Sequence, residues 1–233
     1  MALPIMKHPT FELTIPSTKA TLKYRPFLVK EEKILLLAQG STKSKDLILA
    51  VKQIVNNCII EGDINIDSTP TFDLEYIFLK LRANSVSDIA KFNMTEDDGE
   101  ESKIEIDLND VEVQHTENHT NMVALGNDVS LEMKYPSYTT LSNIKSEEAV
   151  DVTFEMIEMC IDKVVQGEEV MELKDFSKAE VKEFLDSLTS QNFRDIQKFF
   201  DEMPKLQHTV EYKVGKKTKS RTFTGLADFF QSA

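Results

Sequence analysis

Two histidines four residues apart, His115 and His119, flank an acid in the run His-Thr-Glu-Asn-His. On a helix that spacing sets both imidazoles on one face, where they can share a metal ion. The surrounding residues are polar and Asn-rich, however, which predicts a turn, and a turn does not align the two rings. The acids Glu96, Asp97, Asp98, Glu100 and Glu101 carry the charge of a calcium loop without its alternating ligands or its twelfth-position glutamate. They read as a solvated hairpin tip or as a loop that meets a partner. Ser and Thr are plentiful, yet the sequence sets no histidine against any of them. A phosphate-binding loop, a Rossmann glycine fingerprint, a zincin helix and a Gly-x-Ser-x-Gly elbow are all missing. Seven glycines in 233 residues leave little material for phosphate cradles. The expectation is a protein that is not an enzyme, with no cofactor, no metal site and no small-molecule substrate.

Binding chemistry is better represented. Lys213, Lys216, Lys217, Lys219 and Arg221 form a basic patch around a Gly-Lys-Lys turn. Such a hairpin can grip nucleic acid, but no aromatic stacking platform is interleaved with it, although Tyr212 and Phe223 flank it. The whole chain carries a charge of −13, from 27 Lys and Arg against 40 Asp and Glu. An acidic chain is repelled by nucleic acid and by anionic membranes. The patch therefore reads as a contact for an acidic protein or as a device that keeps a strand edge soluble. Nucleic acid is the weaker reading. Leu226, Phe229 and Phe230 close the chain with an apolar run that either docks on the protein's own core or anchors on a partner. Their spacing also resembles a sliding-clamp-binding peptide, but Phe223 stands where that motif wants Gln.

The elements that carry these residues follow from periodicity. Residues 11–24 alternate as a hairpin across Pro16 and Ser17. Helices are expected over Val29–Gln39 with Gly40 as the stop, from Ser44 or Asp46 to about Ile60, and from an N-cap at Thr71 to near Asn84. Residues 85–114 read as an acidic hairpin with one apolar face. Met122–Leu125 and Val129–Tyr135 pair across Gly126-Asn-Asp. A short helix or loop over Thr139–Lys145 precedes a helix from Ser146 to about Val165. Ser177-Lys-Ala-Glu180 has the form of a capping box and opens another helix. Thr189 starts one more, which ends at Pro204. A last hairpin, His208–Thr224, leads to a short helix at Leu226–Phe230. The fold class is α+β with more helix than strand. Three segments are expected: 1–84, a central antiparallel module at 85–136, and 137–233.

Cys58 and Cys160 lie in apolar helical text with no neighbour to pair with, and read as buried thiols. The longest apolar runs, Ile34–Ala38 and Leu47–Val51, are far shorter than the roughly 20 residues a bilayer span needs. Met1–Ile15 is interrupted by proline and lacks a signal-peptide core. A soluble protein made in a cytoplasm is expected, with no membrane partner.

Several stretches carry a resemblance. Tyr24-Arg-Pro-Phe-Leu-Val-Lys-Glu-Glu-Lys33, Val51-Lys-Gln-Ile-Val-Asn-Asn-Cys58 and Pro70-Thr-Phe-Asp-Leu-Glu-Tyr-Ile-Phe-Leu-Lys-Leu-Arg-Ala83 resemble the baseplate hub subunit and hub assembly proteins of T-even-like tailed bacteriophages. Met1-Ala-Leu-Pro, Ile104-Glu-Ile-Asp-Leu108, the chain length and the Phe-Phe ending are similar as well. The resemblance implies a minor hub subunit or a hub assembly factor, with baseplate hub proteins as partners. It places the chain in the host cytoplasm during assembly and, if it stays, in the virion tail. A chaperone that leaves before the virion is complete is the alternative. The family brings no catalytic residues. Within the similar stretches Tyr24, Arg25, Phe27, Phe72 and Tyr76 are of the types enriched at interface hot spots, or else they build the helical core. With Lys216, Lys217, Leu226, Phe229 and Phe230 they make up the expected partner-binding set.

Overall fold

The computed structural model describes residues 6–40, 44–95, 101–215 and 217–230. The acidic tip at 96–100 and Lys216 therefore lie outside the described residues. The fold is α+β, with 40% of the described residues helical and 31% in strands, and every described strand pairing is antiparallel. Contacts group the chain into two compact units, residues 1–114 with 205–233, and residues 115–204.

The first unit opens with β1 (Phe11–Thr14) and β2 (Thr21–Tyr24), followed by α1 (Val29–Gln39) and α2 (Ser44–Cys58). The second helix stops two residues short of the expected end. Ile59–Glu61 becomes β3 and adds to β2, because β-branched Ile59 and Ile60 fit an extended edge as readily as a helix end. Then comes α3 (Thr71–Ala83). Pro70, not Thr71, holds its N-cap position and gives no side-chain cap. Asp73 in its first turn instead accepts hydrogen bonds from the Ser17 N–H at 3.1 Å and from the Ser17 hydroxyl. Nine of the thirteen α3 residues are buried, seven of them apolar and the other two, Asp73 and Lys80, hydrogen-bonded. This helix is the axis of the unit.

Next, β4 (Ile89–Thr95) pairs with β5 (Glu101–Asp107) as a two-stranded sheet. The last strand of the stretch expected as the 85–114 hairpin, β6 (Glu112–Gln114), joins a different sheet. Its partner comes from the far end of the sequence.

In the second unit, β7 (Met122–Gly126) and β8 (Val129–Met133) form the expected pair, followed by α4 (Tyr138–Asn143) and α5 (Ala149–Cys160). The helix expected to reach Val165 ends at Cys160. Residues Ile161–Gln166 form β9, which pairs with β8 on one side and with β10 (Glu169–Glu172) on the other. Ile161, Val164 and Val165 are β-branched, and Gly167 at φ +59° turns the hairpin, so tertiary pairing overrides the helical spacing. Two capped helices follow, α6 (Lys178–Asp186) and α7 (Ser190–Glu202). Ser177 and Glu180 exchange capping-box bonds, and Thr189 does the same with Asn192. The core of this unit joins Leu131 and Met133 of β8, Ile157 and Cys160 of α5, and Ile196 and Phe199 of α7.

The chain then returns to the first unit as β11 (Lys205–Val214) and β12 (Lys217–Thr224), in sheet order β12-β11-β6, and α8 (Gly225–Phe230) is the last described element.

Candidate protein-binding surfaces

The Tyr24–Phe27 stretch leaves β2 and turns into α1. Tyr24 is 2% exposed, and its hydroxyl accepts from the Asn84 amide at 2.9 Å. Arg25 is turned inward. It donates to both Glu31 carboxylate oxygens and to the backbone oxygens of Pro26 and Asn57. Glu31 is wholly buried. Burial works against its charge, but the hydrogen bonds from Arg25 and the Leu28 N–H, with the positive charges of Arg25 and Lys30, outweigh it and hold the carboxyl below its ordinary range. Phe27 packs on Phe78 with ring centroids 5.5 Å apart.

The α3 pair is split in the same way. Phe72 is 2% exposed. Tyr76 is half-buried, and its ring lies 5.0 Å beneath the Lys80 ammonium. Burial, then the charge of Glu112 and a hydrogen bond to it, push the Tyr76 phenol up to about 12. The Lys80 ammonium itself sits over the turn that joins β5 to β6, within 3.3 Å of three backbone oxygens.

At the C-terminus, Leu226 and Phe229 are buried within their own unit. Phe229 meets Phe223 at 5.7 Å, and Phe223 meets Phe92 of β4 at 4.6 Å. The side chain of Phe230 lies outside the described residues, as Lys216 does. Lys217 is exposed on β12. Tyr24, Phe72, Leu226 and Phe229 thus line the interior of the fold and offer no outer surface. Aromatic and aliphatic groups on the inner faces of a hairpin, a central helix and a docked terminal helix are drawn inward by the gain from burial. A buried Leu226 and Phe229 likewise do not present a clamp-binding peptide.

His115 and His119 lie between β6 and β7, in a turn closed by the His119 N–H donating to the Thr116 oxygen at 3.2 Å, with Asn118 at φ +62°. The pair is therefore not on a helix, the setting in which a four-residue spacing aligns two imidazoles. His119 stacks on Tyr135 and Phe199, with centroids 5.8 and 5.2 Å away. Its Nε2 is buried without a hydrogen-bond partner. Burial lowers its pKa, with Glu202 opposing and His115 assisting. Among the described residues no group of three His, Cys, Asp or Glu could hold a metal ion. No described helix is long and apolar enough to cross a membrane.

The most prominent exposed apolar face was not anticipated. Val29, Leu36 and Leu37 on α1 and Leu49 on α2 are 88%, 59%, 68% and 61% exposed. In the 3.6-residue period Val29, Lys33, Leu36 and Leu37 fall on one side of α1, opposite buried Glu31, Leu35 and Ala38. Ile34, Leu37, Ala38, Leu49 and Ala50, with Asp46 and Gln53 at the margin, line a shallow groove of about 360 Å³ between the two helices. The signal was the run Ile34–Ala38: five consecutive apolar residues on a helix cannot all face one core.

A family model described as T4 bacteriophage base plate protein matches residues 8–231. No curated protein and no solved structure matches the chain.

Proposed function

We propose, from the premise that the chain belongs to the T4 bacteriophage base plate protein family, that it serves the baseplate hub as an assembly factor or a minor subunit. It acts by binding other baseplate proteins, hub proteins first among them, in the host cytoplasm while the tail is built. It performs no catalysis.

The observation that carries this reading is the aliphatic face of α1 and α2. Four large side chains more than half exposed on adjoining helices are more than a solvated surface needs. With Lys33 beside them and few acids, they suit the apolar face of a neighbouring baseplate protein. The family supports other baseplate proteins as the class of partner, and the resemblance of Tyr24–Lys33, Val51–Cys58 and Pro70–Ala83 to hub proteins favours the hub among them.

The test is affinity capture of the tagged chain from infected-cell lysate, with quantitative mass spectrometry of purified virions beside it. Capture of hub proteins together with presence in virions identifies a hub subunit. Capture of hub proteins with absence from virions identifies an assembly chaperone. Capture of no tail protein overturns the proposal.

A further inference from the structure

The basic hairpin does not contribute to the aliphatic face, and its geometry points to a second kind of contact. Among the described residues, strand β12 is the last strand of its sheet, paired with β11 alone. It is eight residues long, Lys-Thr-Lys-Ser-Arg-Thr-Phe-Thr, with no proline, glycine or acid. Long regular edges of this kind are templates for another strand.

The phase of the ladder shows which groups face outward. Val214 is paired with Lys217 across two residues, with Gly215 at φ +55°. In a two-residue hairpin that closing pair exchanges both backbone hydrogen bonds, so Lys217, Lys219 and Arg221 bond inward to β11 and Thr218, Ser220 and Thr222 point away. Two further contacts agree with this phase. The Lys213 oxygen, turned away from β12, accepts from the Ser102 hydroxyl at 3.3 Å. The Thr224 N–H, on the outward side, donates to the Asp228 carboxylate at 2.8 Å. That second bond closes the outer edge at the α8 end and, among the described residues, leaves Thr218, Ser220 and Thr222 as its open length.

Side chains sort by the same alternation. Lys217, Lys219 and Arg221 share a face with Val214, Tyr212 and Val210, while Thr218, Ser220 and Thr222 share the other with Lys213, Glu211 and Thr209. Lys217 and Lys219 are exposed and Arg221 is half-buried over the Phe223 ring at 5.1 Å. One face of the open edge is cationic and the other carries small hydroxyls.

We infer that β12 takes up an extended, acidic segment of a partner protein by antiparallel strand addition. Acids at every second position meet Lys217, Lys219 and Arg221, and the residues between them exchange backbone hydrogen bonds with Thr218, Ser220 and Thr222. A second β12 is a poorer occupant, because two cationic strands repel when they meet edge to edge. Nucleic acid is poorer too: it has no backbone ladder to offer, and of the two aromatics on this face Phe223 is buried and Tyr212 half-buried. The inference rests on the reading of the chain as a protein-binding component. The experiment below addresses the edge alone, so it can fail while lysate capture succeeds, and the reverse.

The probe is an eight-residue peptide of alternating Thr and Glu, titrated against the full chain by fluorescence anisotropy. Binding is expected to weaken with added salt and to fall by about tenfold or more in the Lys217→Glu/Lys219→Glu variant. Both side chains are exposed, so circular dichroism should show that variant folded. N-methylation of the threonines should abolish binding, since those amides face the β12 edge, while N-methylation of the glutamates should leave it. Equal binding of the two N-methylated peptides would mean charge adsorption without strand addition and would overturn the inference. So would tighter binding of a single-stranded oligonucleotide of equal charge through the same lysines.

Discussion

Arg25 grips Glu31 as a two-pronged fork: Nη2 donates to Oε1 at 3.1 Å and Nη1 to Oε2 at 3.2 Å, with the carboxylate wholly enclosed. The same guanidinium reaches the Asn57 oxygen at 2.8 Å near the end of α2. One side chain thus joins the exit of β2, the first turn of α1 and the last turn of α2. Arg25→Ala leaves a buried carboxylate without its main counter-charge. It should cost about 3 kcal/mol in urea unfolding. Arg25→Lys should recover only part of that loss, because an ammonium cannot reproduce the fork.

His119 gives a pH dependence of defined sign. Its folded pKa is depressed, chiefly by burial against Tyr135 and Phe199. Above the unfolded value of about 6.5 both states hold the ring neutral and stability is full. As pH falls through that value, the unfolded chain takes up a proton that the folded chain refuses, so stability declines until the lower folded pKa is reached. His119→Phe keeps an aromatic ring in the stack and removes the titration. Comparing the unfolding midpoints of the two proteins between about pH 7.5 and 5.5 should show a steeper fall in the wild type.

Lys80 shows how a buried cation can be structural. Its ammonium donates toward the Leu108, Asn109 and Val111 oxygens at 3.3, 2.7 and 3.0 Å and lies 3.3 Å from the Glu112 carboxylate. Lys80→Met fills much the same volume but strands those carbonyls. It should destabilise the chain by about 2–3 kcal/mol, read as a lower urea midpoint with an unchanged slope.

The two cysteines should be silent in the native protein. Burial raises the Cys58 thiol to about 11 and the Cys160 thiol to about 12, so almost no thiolate exists near neutral pH. A chromogenic disulfide reagent at about pH 8 should titrate neither thiol before unfolding and both in guanidinium. Fast native reaction at either residue would contradict the burial described.

Much of this architecture was legible in local text. The β1–β2 hairpin, α1, α3 and both capped helices of the second unit sit where alternation, helical spacing and capping residues put them, because those signals act within a few residues. What local text could not carry was partnership. Ile161, Val164 and Val165 satisfy helical spacing after α5, yet strands β8 and β10 claim them. Likewise β6 follows β5 in sequence but pairs with β11, more than ninety residues away by the register Lys205↔Gln114. The same blindness governs the candidate surfaces. Aromatic richness at Tyr24 and Phe72 signals either an interface or a core, and only the packing of α3 decides for burial. The exposed face of α1, by contrast, was written in the run Ile34–Ala38.

That face yields the sharpest separation between folding and binding. Leu37 and Leu49 are 68% and 61% exposed, so folding gains little from covering them. Lysine and leucine have similar helix propensities. The double variant Leu37→Lys/Leu49→Lys should therefore keep its unfolding free energy within about 0.5 kcal/mol per site. A partner that covers the groove loses two apolar contacts and must bury two ammonium groups, so capture of baseplate proteins from lysate should drop sharply. The control is Lys33→Ala on the same face, which removes charge without adding any and should retain capture. If the double variant captures baseplate proteins as well as the wild type does, α1 and α2 are not where the partner sits, and the exposed leucines are a surface feature without a binding role.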